Sequence, residues 1–349
     1  MLHEELNDRE KTILRSIIQQ FILTASPVGS RNITKKFNVG VSPATVRNIM
    51  SDLEDTGFID HPHTSAGRVP TDKGYRYYVD TLMEIQKLKN SEKGIIDKSL
   101  DQNISEADEI LKITSRLLST VTKQIACVTY PTLDKVILEK IQLVKLNSNR
   151  LLVVVSIKSG LIKTMTLEFE TQFEYSRIQN VESLLNERLC GLSFEDIRST
   201  FKERFSDINE KEKPIIRIFI DSVDKIFQDY KKEDKLLITG ATNVIHQPEF
   251  EDHEKFQSII ELIENKDIII HIMDKKKNDN TSSVIISIGS ENENEKLDEY
   301  SLITKEYTFG ETTGTLGVIG PKRMEYSRIV AIINYLSKML SDILTQTTK

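Results

Sequence analysis

Apolar side chains near the N-terminus recur at helical spacing in two runs separated by turn chemistry. Ile13, Leu14, Ile17, Ile18, Phe21 and Ile22 share one side of a helical wheel. Ahead of them, Asn7 with Glu10 three positions later has the form of a capping box. This predicts a first helix ending near Ala25, since Ser26-Pro27 disfavours continuation. Ser30 can cap a short second helix over Arg31 to Phe37, with Ile33 and Phe37 on one side. Asn38-Val39-Gly40 reads as a tight turn in which Gly40 is free to take a positive φ. The segment SPATVRNIMSDLEDTG follows, with Ser42 as N-cap, Pro43 at the first helical position and Gly57 as the stop. Val46, Ile49, Met50 and Leu53 fall on its apolar face. Its opposite face carries Ala44, Asn48 and Ser51, flanked by Thr45 and Arg47.

Helix, short helix, turn and helix is the helix-turn-helix arrangement, whose second helix presents its N-terminal residues to base edges in the major groove. Ser42, Ala44, Thr45, Arg47, Asn48 and Ser51 are the candidate recognition residues. Ala44 and Thr45 suit a thymine methyl, Asn48 suits adenine, and Arg47 suits guanine or a phosphate. Next, Phe58-Ile59 reads as a short strand and Val69 begins a return strand, with HPHTSAGR as the tip of a hairpin, a wing. His63, Thr64, Ser65, Gly67 and Arg68 are its candidate DNA-binding residues, offering hydroxyls, backbone N–H groups and one charge to phosphates. Pro62 and Pro70 stiffen the loop ends. His61, His63 and Ser65 lie close enough to suggest catalysis or a metal. The segment supplies neither an orienting acid with an oxyanion site nor further ligands at zinc spacing.

Past the hairpin, Tyr75, Tyr78, Val79, Leu82, Ile85 and Leu88 predict a connecting helix, and KLKNSEKG reads as a linker. Ser105 to Lys123 is an amphipathic helix. Ile125–Thr129, Val136–Leu146, Leu151–Ile157 and Ile162–Glu170 are β-branched runs broken by turn signals, an antiparallel meander. Helices dominate from Val181 to Tyr230; Leu236–Ile238 and Ile268–Ile272 read as strands around a helix from Asp252 to Glu264. Strands resume at Val284–Ile288, Ser301–Tyr307 and Gly314–Ile319, and a striped helix runs from Tyr326 to Leu344. Gly310, Gly314, Gly317 and Gly320 precede Lys322-Arg323. They lack the Gly-Lys-Ser/Thr ending of a phosphate loop and read as a hairpin feeding the last helix. The class is α+β, with an insertion between two sheet-forming stretches.

Charge changes this picture in one place. The 349-residue chain carries 47 basic and 53 acidic side chains, a net −6, which by itself argues against nucleic acid. From Lys11 to Ser51, however, there are six basic residues and no acidic one. A basic face on a mildly acidic protein is sufficient for binding DNA. The chain has no apolar run of membrane-spanning length, and its polar, acidic N-terminus is no secretory signal. Cys127 and Cys190 form no metal or redox spacing, so a cytoplasmic protein with reduced thiols and no cofactor is expected.

The runs PVGSRNITKKF and VSPATVRNIMSDLEDTGFIDHPHTSAGRVPTDKGYRYYVD closely resemble the HrcA family of bacterial heat-inducible transcription repressors. The likeness returns in GLSFEDI, in PEF at Pro248 to Phe250, in IGSEN at Ile288 to Asn292 and in GTLGVIGPKRMEYSR at Gly314 to Arg328. It spans nearly the full length, weakest around Phe173 to Lys235 and Asp274 to Ser283. The resemblance implies a winged-helix domain with its connecting helix over 1–90, a discontinuous GAF-like domain over 104–172 and 280–349, and an inserted, mostly helical dimerisation domain over 173–279. It implies a homodimer on double-stranded DNA at an inverted-repeat operator, CIRCE, upstream of chaperone operons. It also implies dependence on the GroE chaperonin. The competing functions are a regulator that senses a metabolite through the GAF-like domain and a phosphate-using enzyme with an appended DNA-binding module. The last lacks any convergent acid–base or nucleophile set.

Overall fold

Helix α1 (Asp8–Thr24) begins where Asn7 accepts hydrogen bonds from the Arg9 and Glu10 amides while Glu10 accepts from the Asn7 amide. It ends at Ala25, which takes a left-handed conformation (φ 52°) ahead of Pro27. Helices α2 (Ser30–Lys36) and α3 (Pro43–Asp55) follow, with the Gly40 turn (φ 65°) between them. The computed structural model describes residues 6–62, 67–100, 107–158, 160, 162–169, 173–209, 212–227, 235–275, 283–310 and 312–346. Ile13, Leu14, Ile17 and Ile18 of α1, Ile33 of α2 and the predicted apolar face of α3 meet in one core. Strands β1 (Ile59–Asp60) and β2 (Val69–Pro70) pair antiparallel, and helix α4 (Asp72–Tyr77) runs into a π-turn over Tyr78–Leu82.

The connecting helix stops at Leu82, short of the Leu88 expected from the apolar spacing. The stretch read as a linker instead starts helix α5 (Asn90–Leu100), whose Ile96 and Leu100 are buried in the main core. Helix α6 (Ala107–Thr122) leads into β3 (Ile125–Thr129). Next come β4 (Leu138–Lys145), β5 (Arg150–Ile157), β6 (Ile162–Glu168), α7 (Tyr175–Leu189), α8 (Phe194–Arg204) and α9 (Lys213–Phe227). The remainder is β7 (Leu236–Thr239), α10 (Ala241–Ile245), α11 (His253–Glu264), α12 (Lys266–Lys275), β8 (Ile285–Ile288), β9 (Tyr300–Phe309), β10 (Thr312–Pro321) and α13 (Tyr326–Gln346). No helix among the described residues is long and apolar enough to cross a membrane.

Strand pairing regroups the predicted meander. β3 lies between β10 and β7 in an antiparallel five-stranded sheet of order β7-β3-β10-β9-β8. β4, β5 and β6 form a separate three-stranded sheet. The four runs of the meander therefore do not share a sheet, and β7, expected in the insertion, belongs with β3. The cause is that β3 is buried on both faces. Ala126 and Val128 face the core of α6 and α13, while Ile125 and Cys127 face that of α10, α11 and α12. A strand covered on both sides needs central neighbours, which β10 and β7 supply. The small sheet buries Leu138, Ile141, Val153 and Val155 against Ile178, Val181 and Leu185 of α7 and against α8 and α9. Its edge strand β4 is partly satisfied by side chains: Asn186 of α7 bonds both backbone groups of Ile141, and Glu182 accepts from the Leu143 amide.

A second expectation is also corrected. Residues Ile268–Ile272 lie in helix α12, where Ile269, Ile270, Ile272 and Met273 are buried and His271 is exposed. The glycine run belongs to the β9–β10 hairpin: Gly310 turns it (φ 60°), and a side chain at Gly317 would sit 2.5 Å from the Ile303 carbonyl.

Candidate nucleic-acid interface

Helix α3 is positioned by its buried stripe. Val46 and Leu53 are essentially inaccessible, and with Ile49 and Met50 they fix which side faces outward. The outward side carries Ser42, Ala44, Arg47, Asn48 and Ser51, all exposed, with Thr45 half-buried beside them. The structure thus brings the six predicted residues of this helix onto one surface. Ser42 is also the N-cap: its hydroxyl accepts from the Thr45 amide at 3.2 Å and lies 3.0 Å from the Thr45 hydroxyl. The Arg47 and Asn48 side chains make no hydrogen bond or ion pair among the described residues, so their polar groups face water. Arg31, Lys35 and Lys36 of α2 are exposed as well and likewise unpaired among the described residues. The nearest acids, Asp52, Glu54 and Asp55, all sit in the second half of α3. The half of α3 where the helix dipole is positive therefore carries Arg47 and no acid.

The predicted hairpin tip is only partly seen. His63, Thr64 and Ser65 lie outside the described residues. Gly67 and Arg68 are placed, and their surroundings differ from the expectation. A side-chain carbon on Gly67 would lie 2.6 Å from the Pro27 carbonyl carbon, so glycine permits a close backbone approach there. Arg68 exchanges backbone hydrogen bonds with Val28 in both directions, at 2.8 and 2.9 Å. Its guanidinium is not free for a phosphate. Nε and Nη2 both lie 2.7 Å from Oε2 of Glu54, and Nη1 is 2.8 Å from Nδ1 of His61. Glu54 was not singled out in the sequence, and a pairing fourteen residues apart across a turn leaves no local signal. Lys73 was missed for the same reason: it donates to the Thr56 carbonyl at the end of α3 and lies over the Phe58 ring, 4.4 Å from its centroid.

A surface of unpaired Arg, Lys and Asn side chains at a helix N-terminus can take phosphate oxygens and base edges. The comparisons with known proteins agree with that chemistry. A family model of the HrcA protein C-terminal domain matches residues 108–330. The heat-inducible transcription repressor HrcA of Chlorobium phaeobacteroides (strain BS1) is 39% identical over 349 residues, covering 98% of this chain and 99% of the relative. That of Chlorobaculum tepidum (strain ATCC 49652) is 39% identical over 358 residues, covering 99% of both. A crystal structure of a hypothetical protein at 2.2 Å resolution shares the fold, with a TM-score of 0.67 at 22% identity over 98% of this chain and 100% of that one. The chain belongs to the HrcA family of heat-inducible transcription repressors.

Proposed function

We propose that the chain represses heat-shock genes by binding an inverted-repeat operator as a homodimer, with α3 as the recognition helix of a winged helix-turn-helix. One observation carries this reading: Arg47 and Asn48 stand exposed and unpaired on the acid-free half of α3, beside the basic side chains of α2. Arg47, Asn48, Ala44 and Thr45 contact bases, while Ser42 and Ser51 contact the backbone. His63, Thr64 and Ser65 of the wing face phosphates. Gly67 and Arg68 hold the wing root against the α1–α2 turn and the end of α3. The operator is of the CIRCE type, upstream of chaperone operons, and the GroE chaperonin keeps the repressor active. A gel shift on chaperone-promoter DNA, with and without chaperonin across temperature, tests this; absence of a specific shift under all conditions refutes it.

The strand pairing supports a division in which 107–129 and 235–346 form the GAF-like body and the intervening unit, to residue 227, is the dimerising insertion. Of the seven exposed large apolar side chains among the described residues, Val144, Leu146, Ile162 and Tyr175 lie on that unit, and Leu23, Ile85 and Ile95 lie N-terminal to it. A two-fold protein suits a two-fold operator. Light scattering that shows a monomer at micromolar concentration with operator present would overturn the dimer. The metabolite reading has a physical basis in a cleft of about 290 Å³ between the end of α1 and the body, lined by Thr122, Gln124, Gln247 and Arg323. A small molecule that shifts melting temperature and operator affinity together would favour it.

A further inference from the structure

Helix α4 is the joint between the N-terminal segment and the body, and the contacts made there by its side chains are largely polar. Arg76 reaches β8 and the turn after it: Nε and Nη2 donate to the two carboxylate oxygens of Glu291 at 2.8 and 2.6 Å, and Nη2 also donates to the Ile286 carbonyl at 2.7 Å. Asp72 pairs with Lys322 at 2.8 Å. It lies so close to Gly289 that a side chain there would meet its carboxylate at 2.0 Å. Further along, Arg323 donates to the Ile22 carbonyl at the end of α1, held in place by Glu249. The connection over 83–89 is pinned by Ser327, which accepts from the Gln86 amide at 3.0 Å and donates to the Glu84 carbonyl. At the centre, the Tyr75 ring lies against Tyr326, 5.9 Å between centroids. Tyr75 is 2% exposed, and its hydroxyl has no hydrogen-bond partner among the described residues.

Such a junction is specific in geometry and weak in energy. Partly exposed ion pairs each contribute little, while a desolvated hydroxyl with no partner opposes the docked state. The N-terminal segment and the body share one apolar cluster that passes through this joint at Tyr75 and Tyr326, and a second cluster lies on the far face of the five-stranded sheet. The interior of each unit holds many more buried apolar side chains than the joint and is expected to open later on heating. We propose that Asp72, Tyr75 and Arg76 are positioning residues that lock the recognition helix to the body, and that this lock is the heat-labile element, opening before either core melts. The DNA consequence rests on the reading of α3 given above. In a dimer, the distance between two recognition helices is held only while both locks are closed. Once open, each helix still reads its half-site, but the fixed spacing that makes the two act together is lost.

The test uses the full chain, with Lys322→Asp, Asp72→Lys, the charge-swapped double variant and Tyr75→Phe. Lock opening is read by a lysine-specific protease acting at Lys87 and Lys89 of the 83–89 connection, both exposed. Cleavage of a transiently opened segment follows its open population. Each single charge variant is expected to be cut about 10-fold faster than wild type, the swap to within about twofold of it, and Tyr75→Phe more slowly. Tyr75→Phe also raises the temperature at which cleavage accelerates. The second readout is affinity for a duplex enriched by the wild-type chain from a random pool, with half-site spacing changed by about five base pairs, half a helical turn. Wild type loses affinity about 10-fold on that change and Lys322→Asp loses little; a fold that was simply damaged would weaken on both spacings alike. Singles cut at the wild-type rate, a swap that fails to restore it, or Tyr75→Phe that opens at the wild-type temperature would each overturn the lock. Enrichment of no duplex refutes the DNA reading, and the cleavage measurement still decides the lock.

Discussion

Replacing Glu54 by Gln separates two roles for Arg68 that the geometry sets against each other. Arg68 places Nε and Nη2 each 2.7 Å from one Glu54 oxygen, with the two side chains 22% and 28% exposed. Glutamine keeps the shape and an acceptor and removes the charge. An exposed pair contributes about 0–1 kcal/mol and a shielded charged hydrogen bond about 1.5–3 kcal/mol, so at this exposure about 1 kcal/mol of anchoring is lost. The Val28 and Arg68 amides, which bond each other's carbonyls, report that loss by hydrogen exchange. Their exchange should quicken about fivefold, the Boltzmann equivalent of about 1 kcal/mol. The released guanidinium can then reach a phosphate. Random-sequence duplex should bind more tightly to Glu54→Gln, with a salt slope steeper by about 0.9. Between about 50 and 200 mM salt, that slope adds roughly 3.5-fold to the affinity lost. Arg68→Ala weakens binding by loosening the wing root but leaves the slope unchanged, because a charge already neutralised by Glu54 displaces no counterion. A slope lowered by about one in Arg68→Ala, with Glu54 intact, would refute this reasoning by showing that the pair opens on DNA.

On the proposed reading of α3, Arg47→Ala and Asn48→Ala should each cost about 1–3 kcal/mol of discrimination between operator and random duplex in competition binding. Wild-type discrimination in both would remove α3 from base reading. Burial works against ionised Glu92, but hydrogen bonds from Arg328 and from the Lys89 amide outweigh it and hold the carboxyl below its ordinary value of 4.5. A depressed folded value gives stability that is present above the ordinary value and lost as pH falls through the folded one. Melting temperature below about pH 4.5 should therefore fall less steeply in Glu92→Gln; an identical acid limb contradicts this. Burial pushes the Cys127 thiol up to about 12; partial desolvation and the Glu139 charge raise Cys190 as well, but its side chain is exposed. A thiol reagent should modify Cys190 in the folded chain and Cys127 only as the sheet unfolds, which mass spectrometry resolves. Gly240 has φ 86°, and a methyl group there would lie 1.8 Å from the Ser119 hydroxyl. Gly240→Ala should cost about 2–4 kcal/mol in denaturant titration, and a cost below about 1 kcal/mol would contradict the crowding.

What could be read from the sequence was local. The Asn7–Glu10 box, the Ser42-Pro43 start and the Gly40 turn each depend on chemistry within three or four residues, and each stands where expected. The outward surface of α3 was legible because the helix needs its apolar residues inside, which dictates the outward set by subtraction. The Ile268–Ile272 run shows where local reading stops. Four isoleucines around His271 fit a strand as well as a buried helix. Only packing against α11 selects the helix that buries Ile269, Ile270, Ile272 and Met273.

The sheet grouping failed, and the pairing of Arg68 with Glu54 was missed, for a shared physical reason: each depends on a choice among distant partners. β3 is apolar from Ile125 to Val128, which says that it is covered on both faces but not which strands flank it; β10, its neighbour, comes nearly two hundred residues later. Arg68 reads as a phosphate ligand because it sits in a polar hairpin. A cation meets phosphate only when no nearer anion has already taken its hydrogen bonds, and Glu54 has. Arg76 follows the same rule over a longer range, since its carboxylate partner is 215 residues away. Arg47 and Asn48, by contrast, have no partner among the described residues. In this chain the charged and polar side chains left unpaired among the described residues on α2 and α3 are therefore the ones whose hydrogen-bonding groups stand available for the proposed DNA contact.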